Sequence, residues 1–346
     1  MGILSGLPDF FGLDIGTTAV RVVQLKGKGS SRTVFRYGKA PLDPSIAGKT
    51  DVDSLAKMAN TIREVLVQNQ VTTRNVVMGL PTNKVYSVVR EFDYMPSAEF
   101  AKTLKFQIER IVPSHEESKI DWAVLDPEVK EAEKKEVLIC SSANEFIQQR
   151  LEMLESINLN VLAFEPDSLA LVRAMASAQA GQDSLIVDIG YNDCDIIVMH
   201  KNQPRLITSV STGINNAVRG VTNSMHIDNA QAQQLIFQLG LYENPSYPSL
   251  RSSIVQAFDM VIIQIRKSIG FFTNRYTDSS LSQITLCGDA AYIPGFAEFI
   301  AAQTNMQTII GDAWQNVVCP QEIHEDLKSL STNFAVAAGL AERQVI

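Results

Sequence analysis

Two acidic tripeptides carry the strongest chemical signal in the sequence. Asp-Ile-Gly occurs at 14–16 and again at 188–190, each time between two short apolar runs that predict a strand, a tight turn and a strand. A carboxylate at a strand end can hold Mg²⁺, and glycine lets phosphate oxygens come close to the backbone. Thr17 and Thr18 add hydroxyl donors beside the first turn. The pair therefore predicts two turns that hold one polyphosphate from both sides.

The repeat extends beyond the tripeptide. A further predicted strand follows each copy, at 33–38 and at 204–210. Two copies of one three-stranded meander indicate a duplicated domain with a cleft between the copies. The alternative is a pair of hairpins whose glycines serve only the turn. Repetition of the whole strand-turn-strand context favours the phosphate-binding interpretation.

A third strand-turn-helix segment, at 284–296, fits the same cleft. Its turn contains Gly288, Asp289 and Ala290, small residues that would leave room for a flat base and a ribose against the backbone. By contrast, the tripeptide at 48–50, Gly-Lys-Thr, only resembles the end of a P-loop. Asp43 stands where the first glycine would be and no strand precedes it, so this segment is predicted to be an ordinary loop.

The remaining pattern alternates helices with strands, which indicates an α/β fold. Residues 178–184 are polar and predict a hinge between the halves, and residues 128–136 predict a charged, solvated turn. The predicted helices are 53–69, 97–111, 145–156, 166–177, 215–224, 229–239, 254–272 and 333–342. The predicted strands outside the meanders are 76–80, 85–92, 121–125, 137–140, 161–164, 284–287 and 308–310.

Composition excludes several classes of function. Lys and Arg number 30 against 38 Asp and Glu, and the net charge of −8 argues against nucleic-acid binding and against adsorption to anionic lipid. The four cysteines form no C-x-x-C pair, so they predict free thiols in a reducing compartment. The apolar run 254–272 is interrupted by polar residues at helical spacing, and no signal peptide or myristoylation pattern begins the chain. We expect a cytoplasmic protein.

The order of these motifs resembles the actin-like ATPase superfamily. The two turns match its phosphate loops, 288–290 its adenosine loop, and 164–170 and 333–340 its two connecting segments. The resemblance covers essentially the whole chain. It implies a duplicated, ribonuclease-H-like α/β fold with two lobes around a nucleotide cleft.

Within the superfamily, the sequence resembles most closely the PilM family of type IV pilus assembly proteins, relatives of the division protein FtsA. The similar stretches are 12–16 with 20–23, 106–113, 121–125 and 335–341. The domain limits that the resemblance implies are 1–80 with 161–183 for subdomain 1A, 81–160 for an inserted subdomain 1C, 184–212 with 282–346 for subdomain 2A, and 213–281 for subdomain 2B.

The resemblance also implies that ATP or ADP binds with Mg²⁺, and it assigns a role to each matching residue. The implied roles are Asp14 and Asp188 facing Mg²⁺; Gly16, Thr17 and Thr18 on the β-phosphate side; Gly190 facing the γ-phosphate; Gly288 and Asp289 flanking adenosine; and Glu165 orienting the attacking water as a general base.

Three residues depart from the pattern of the family. Its members often carry Ala-Glu-x-x-Lys in a helix of subdomain 2B, where Gln231 and Gln234 stand here in place of both charges. Asp193 occupies a position where a hydroxyl residue is usual, and negative charge beside a triphosphate is unfavourable unless a metal offsets it. We therefore expect nucleotide binding with weak or absent hydrolysis.

The resemblance implies a partner as well. Insert 81–160 would bind the N-terminal cytoplasmic peptide of a single-span inner-membrane protein resembling PilN, and the pilus motor ATPase stays open as a second partner. Attachment through a protein would place the chain at the inner membrane without direct insertion. The apolar residues that could line a groove, or form the core of the insert, are Phe92, Tyr94, Met95, Phe100, Phe106 and Trp122.

Two alternatives remain. A division protein of the FtsA type would carry an amphipathic C-terminal helix, and only three residues follow Arg343. A sugar or acetate kinase of the same superfamily would need a substrate-binding acid between the lobes, and the sequence offers no clear candidate.

Overall fold

Two five-stranded sheets with the same strand order form the centres of the two halves of the chain. The computed structural model describes residues 9–27, 32–93, 97–113, 117–125, 134–176 and 183–344. In spatial order, the first sheet contains β3 (Thr33–Pro41), β2 (Ala19–Lys26), β1 (Phe10–Ile15), β4 (Asn75–Leu80) and β8 (Asn160–Pro166). The second contains β11 (Gln203–Val210), β10 (Cys194–His200), β9 (Ser184–Ile189), β12 (Gln283–Cys287) and β13 (Thr308–Ile310).

Strand directions match as well as strand order. β1 pairs antiparallel with β2 and parallel with β4, and β9 pairs antiparallel with β10 and parallel with β12. The central strands β1 and β9 are buried, as their nearly continuous apolar sequences require. The predicted duplication is therefore present at the level of topology, and each Asp-Ile-Gly turn follows the central strand of its sheet.

Eleven helices in the described ranges cover these sheets. They are α1 (Val52–Gln68), α2 (Ser97–Ile111), α3 (Asn144–Glu155), α4 (Asp167–Met175), α5 (Ile214–Met225), α6 (Asn229–Leu239), α7 (Leu250–Ala257), α8 (Asp259–Arg275), α9 (Phe296–Thr304), α10 (His324–Leu330) and α11 (Ala335–Ala341). The carboxylate of Asp51 accepts a hydrogen bond from the Ser54 amide at 3.0 Å and caps the start of α1. No helix in these ranges is long and apolar enough to span a bilayer.

The sequence prediction differs from the structure in two helical regions. The single helix predicted for 254–272 is divided at Phe258, which is fully buried and packs against Phe296 with ring centroids 4.7 Å apart. The short helix α10 was not predicted. Of the predicted hinge 178–184, only Asp183 and Ser184 lie within the described residues, and most of the predicted charged turn also lies outside them.

Helices α4 and α11 cross in close contact between the two sheets. Gly339 of α11 packs against the backbone of Ala170 in α4, where an added Cβ would overlap the Ala170 carbonyl oxygen. Gly12 of β1 makes the same kind of approach to Ala337 of α11. Small residues therefore let α11 pack in backbone contact with α4 and β1, and this crossing lies at the interface between the two halves.

A third sheet forms the core of an insert, which we define as β5 (Tyr86–Phe92), α2, β6 (Ser118–Val124) and β7 (Lys135–Ala143). The strands are antiparallel in the order β5-β7-β6. Phe92 and Phe100 lie in the apolar core of the insert, whereas Phe106 and Trp122 are exposed. Tyr94 and Met95 lie outside the described residues. Helix α3, included in the predicted range 81–160, contributes Met153 and Leu154 to the core of the first sheet.

Glu136 of the insert makes three contacts with the second half of the chain. Its carboxylate lies 2.8 Å from Nε of the buried Arg205 and accepts hydrogen bonds from Arg275 at 2.6 Å and from the Tyr276 hydroxyl at 3.0 Å. Burial opposes ionisation of Glu136, but the hydrogen bond from Arg275 and the charge of Arg205 hold its pKa below the usual value. We call these four residues the Glu136 clamp. It fixes the insert to β11 and α8.

Candidate functional site

The turns that follow β1, β9 and β12 open into one cavity between the two sheets, which we call the cleft. Its volume is about 350 Å³. Eight of the nine site residues expected from the sequence line it: Asp14, Gly16, Thr17, Thr18, Asp188, Gly190, Gly288 and Asp289. The carboxyl ends of parallel strands meet at one edge of each sheet, and this topology brings together residues far apart in the chain.

The two glycine turns have matching hydrogen bonds but different space around them. The Gly16 amide donates to the Ala19 carbonyl at 3.0 Å, and the Gly190 amide donates to the Asp193 carbonyl at 2.9 Å. An added Cβ on Gly16 would come within 2.7 Å of the Arg21 guanidinium, whereas one on Gly190 would meet only the Asp193 carbonyl oxygen, at 3.6 Å. A side chain at 16 would therefore displace the Arg21 guanidinium, whereas Gly190 leaves open space in the cleft.

Arg21 links the acidic groups of the two halves. Its guanidinium donates to Asp14 at 3.2 Å and lies 4.0 Å from Asp289 in the adenosine loop. Asp289 also accepts a hydrogen bond from Asn333 at 2.5 Å. Sequence reasoning missed Arg21, although a signal existed, because it is the one charged residue in the buried stretch 19–25 of β2.

Carboxylates outnumber the bases that pair with them in the cleft. Burial raises the pKa of Asp188 to about 8 and that of Asp195 to about 6, with nearby acids adding to the first shift. Burial also raises the pKa of Asp14, against the opposing charge of Arg21. One carboxylate oxygen of Asp167 and one of Asp195 are buried without a hydrogen-bond partner. A bound cation would offset the charge of such a set of acids.

The donor set fits Mg²⁺ bound together with phosphates rather than a metal held by protein alone. In the described part of the chain, no three metal-ligating side chains are grouped closely enough to hold an ion. Mg²⁺ usually keeps several waters and takes one or two carboxylates plus substrate phosphates. Asp14 and Asp188, on opposite sides of the cleft, match that requirement.

Gly288 shapes the third turn of the cleft. Its φ of +77° lies in the left-handed region, and an added Cβ would overlap the Ile189 carbonyl oxygen and approach the Asp188 carboxylate. Glycine at this position thus lets the adenosine loop pack directly on the second phosphate turn.

Glu165 lies outside the cleft, in contrast to the sequence expectation. It is buried and forms ion pairs with Arg173 and, at 3.1 Å, with Arg343, so both of its carboxylate oxygens are paired outside the cleft. Asp167, two residues later, lines the cleft because β8 ends at Pro166 and α4 begins there. Gly79 makes room for it, since an added Cβ there would overlap the Asp167 carboxylate.

The residues that depart from the family pattern also have definite positions. Asp193 lines the cleft, where its carboxylate accepts a hydrogen bond from Asn83 of the opposite half at 3.2 Å. Gln231 and Gln234 are exposed on α6 and do not line the cleft. The added acid is therefore part of the site, whereas the glutamines do not alter its surface.

A second cavity, of about 1140 Å³, separates the insert from the first sheet, and we call it the groove. β6 and β8, the edge strands of their sheets, lie along its two sides. Apolar residues that line it include Ile120, Trp122, Leu138, Leu162, Phe164 and Leu169. Edge strands leave backbone N–H and C=O groups unpaired within their own sheet, so the groove can accept an extended chain.

We expect the Asp188→Asn variant to lose part of the pH dependence of stability. In the ligand-free protein the folded state keeps the Asp188 proton up to about pH 8, while the unfolded chain releases it near pH 4. The free energy of unfolding should therefore fall as pH rises between these values, by up to about 1.4 kcal/mol per pH unit. Denaturant titrations at pH 5.5 and 7.5 measure this slope; equal slopes for both proteins would contradict the assignment.

Comparison with known proteins supports the architecture. A model of the family described as "Type IV pilus assembly protein PilM" matches residues 12–345. The solved "PilM-PilN type IV pilus biogenesis complex" is similar with a TM-score of 0.85 and 22% identity, covering 98% of this chain and 99% of that one.

Two further solved structures are similar at lower scores. Ethanolamine utilization protein EutJ from Carboxydothermus hydrogenoformans has a TM-score of 0.56 and 14% identity over 97% of this chain and 90% of that one. MreB5 of Spiroplasma citri bound to ADP has a TM-score of 0.56 and 11% identity over 95% and 94%. These similarities confirm the predicted duplicated actin-like fold.

Proposed function

The chain belongs to the PilM family of type IV pilus assembly proteins, and we propose that it serves there as an actin-like nucleotide-binding scaffold that docks a membrane protein. The observation that carries the proposal is the presence of two separate cavities. The cleft has the acids and turns suited to a nucleotide, and the groove has two edge strands suited to a peptide.

We propose that the cleft binds ATP or ADP with Mg²⁺. Asp14 and Asp188 would hold the metal, partly through water, and Gly288 with Asp289 would flank adenosine. The metal would supply positive charge against the phosphates. Arg21 forms ion pairs with Asp14 of the first half and Asp289 of the second, and so links the two sides of the cleft. The ADP bound to MreB5, which has the same fold, supports this choice of ligand.

Weak hydrolysis agrees with the protonation of the cleft. Asp167 lines the cleft, which the expected Glu165 does not, and in this proposal Asp167 is the group that would accept a proton from water. Burial, with the charge of Asp14 and other acids, raises the pKa of Asp167 well above the usual value, which disfavours its ionised form. A neutral carboxyl group is a poor general base. We therefore propose that binding, rather than turnover, is the main activity of the cleft.

The groove would hold the N-terminal cytoplasmic peptide of a PilN-like single-span inner-membrane protein. An extended peptide can add to an exposed sheet edge through main-chain hydrogen bonds, while alternate side chains enter apolar pockets. The solved PilM–PilN complex supports the choice of partner. Docking of this kind would keep the protein on the cytoplasmic side, peripheral to the inner membrane. The pilus motor ATPase remains an expectation from the family resemblance alone.

Tryptophan fluorescence tests the docking directly. The chain has two tryptophans: Trp122 is 39% exposed in the groove, and Trp314 is buried, with its indole N–H donating to the Leu327 carbonyl at 2.7 Å. We expect titration with a synthetic PilN-like N-terminal peptide to change Trp122 emission. The Trp314→Phe variant should keep this change and Trp122→Phe should lose it.

A paired substitution locates the site. Ala123 is exposed and lines the groove, so Ala123→Arg should fill the groove and weaken peptide binding by more than about tenfold. Phe106→Arg changes an exposed residue of α2 in the same insert, outside the groove, and should bind within about twofold of wild type. Equal binding by both variants would place the peptide elsewhere.

A further inference from the structure

Arg150 is a buried cation in the wall of the cleft. Its guanidinium contacts the Met58 sulfur at 3.2 Å and the carbonyl oxygens of Ala47 and Lys49 at 3.5 and 3.4 Å, and its Nε has no hydrogen-bond partner. The side chain of Arg150 is almost fully buried, and no carboxylate of the described chain forms an ion pair with it. A buried charge without a counter-charge is costly unless a ligand supplies the partner.

Lys84 supplies a second positive charge at the same end of the cleft. Both Lys84 and Arg150 lie over the Phe146 ring, with the ammonium 6.0 Å and the guanidinium carbon 5.1 Å from its centroid. All three residues line the cleft. The third base of the cleft, Arg21, is already paired with Asp14. Neither Lys84 nor Arg150 forms an ion pair in the described cleft, although the charge of Lys84 favours the ionised form of the nearby Asp193. These two cations are therefore the ones that could still bind an anion.

The duplication places Lys84 and Arg150, which we call the basic end of the cleft, opposite the adenosine loop. β4 occupies in the first sheet the position that β12 occupies in the second. The 3-10 turn Thr82–Lys84 after β4 is thus the counterpart of the turn after β12 that contains Gly288 and Asp289. The two phosphate turns lie between these counterparts. Asn83 reaches the second phosphate turn through its hydrogen bond to Asp193, so Lys84 stands beside the far end of the phosphate path.

We propose that Lys84 and Arg150 form a binding site for a terminal phosphate group, which makes the cleft prefer nucleoside triphosphates to diphosphates. The inference rests on the proposed nucleotide binding. A nucleotide with its base at Gly288 and its phosphates between the glycine turns directs its last phosphate toward this basic end. The same site would take free inorganic phosphate beside a bound diphosphate, since the recognised chemistry is identical.

Calorimetric titration of the full chain with ADP and with a non-hydrolysable ATP analogue, both with Mg²⁺, tests the proposal. Wild type should bind the triphosphate more tightly. Lys84→Gln should weaken triphosphate binding by roughly tenfold and leave ADP affinity within about twofold, because only the terminal phosphate loses a charged partner. Lys105→Gln is the matched control, since it removes the same charge from an exposed side chain of α2 outside the cleft. This control should leave the affinities for ADP and for the ATP analogue nearly unchanged, because salt screens the effect of a distant surface charge.

Two further measurements complete the test. Arg150→Met, which places a thioether beside Met58 and Met153, should reproduce the selective loss. Titration of the ADP-saturated protein with inorganic phosphate distinguishes free phosphate from the terminal phosphate of a nucleotide. If phosphate binds and Lys84→Gln abolishes this binding, the site also accepts free phosphate. If phosphate does not bind, the site accepts only the phosphate that is attached to a nucleotide. An equal effect of Lys84→Gln on both nucleotides, or none on either, would overturn the inference and leave nucleotide binding intact. Failure of wild type to bind either nucleotide would instead remove the proposed function and the inference with it.

Discussion

Replacement of Gly190 by alanine should weaken nucleotide binding while the protein remains folded. The added methyl group would enter the cleft beside the second phosphate turn, where it meets only the Asp193 carbonyl oxygen at ordinary contact distance. The backbone of Gly190 is outside the left-handed region, so alanine introduces no strain and restricts the unfolded chain slightly. We expect the dissociation constant of ADP with Mg²⁺ to rise by more than about tenfold, and the free energy of unfolding to stay within about 1 kcal/mol of wild type.

Gly48→Ala is the control for this experiment. Gly48 lines the same cleft but belongs to neither phosphate turn, and no atom lies within 4 Å of its added Cβ. Its ADP affinity should equal that of wild type in the same calorimetric titration. Wild-type affinity in the Gly190→Ala protein would show that this turn does not contact phosphate.

The Gly339→Ala variant should be the most destabilised single-methyl change in the crossing of α4 and α11. The added Cβ would overlap the Ala170 carbonyl oxygen. This oxygen belongs to the backbone of α4, so it cannot move aside as the end of a flexible side chain does. Helices α4 and α11 must therefore move apart to make room for the methyl group, which opens the buried interface around Leu340 and Ala337. We expect a loss of about 3 kcal/mol or more in the free energy of unfolding, measured by denaturant titration.

The Gly270→Ala variant makes the same chemical change, but we expect it to raise the free energy of unfolding rather than lower it. Gly270 is also inside a helix, α8, but no atom lies within 4 Å of its added Cβ. Here alanine should stabilise the protein by about 0.5–1 kcal/mol, since glycine is the poorer helix former. If both variants shift stability in the same direction, backbone contact at Gly339 is not what requires glycine there.

Local patterns predicted the duplicated meanders well because the strands, the turns and the acids that follow them depend on neighbouring residues. The central strands consist of short apolar runs that end in a chemical group, and the observed β1 and β9 match those runs. The limits of α1 and α2 were predicted to within about one residue for the same reason.

What the sequence could not predict depends on contacts between distant residues. Glu165 and Asp167 are both acids near the junction of β8 and α4, and only the position of that junction decides which one reaches the cleft. The break at Phe258 follows from its packing on Phe296, and helical periodicity contains no sign of that contact. The Arg150–Phe146–Lys84 cluster likewise joins segments more than sixty residues apart.

The Glu136 clamp has a mechanical consequence. A peptide anchored in the membrane and held along β6 would transmit tension to the insert, and the adjacent strand β7 carries Glu136. That tension would pass through Arg205 and Arg275 into β11 and α8, rather than stop at the chain connections that join the insert to β4 and α3. Arg205 and Arg275 both pair with Glu136 and would share such a load. A force on the bound peptide would then be carried by both halves of the molecule rather than by the insert alone.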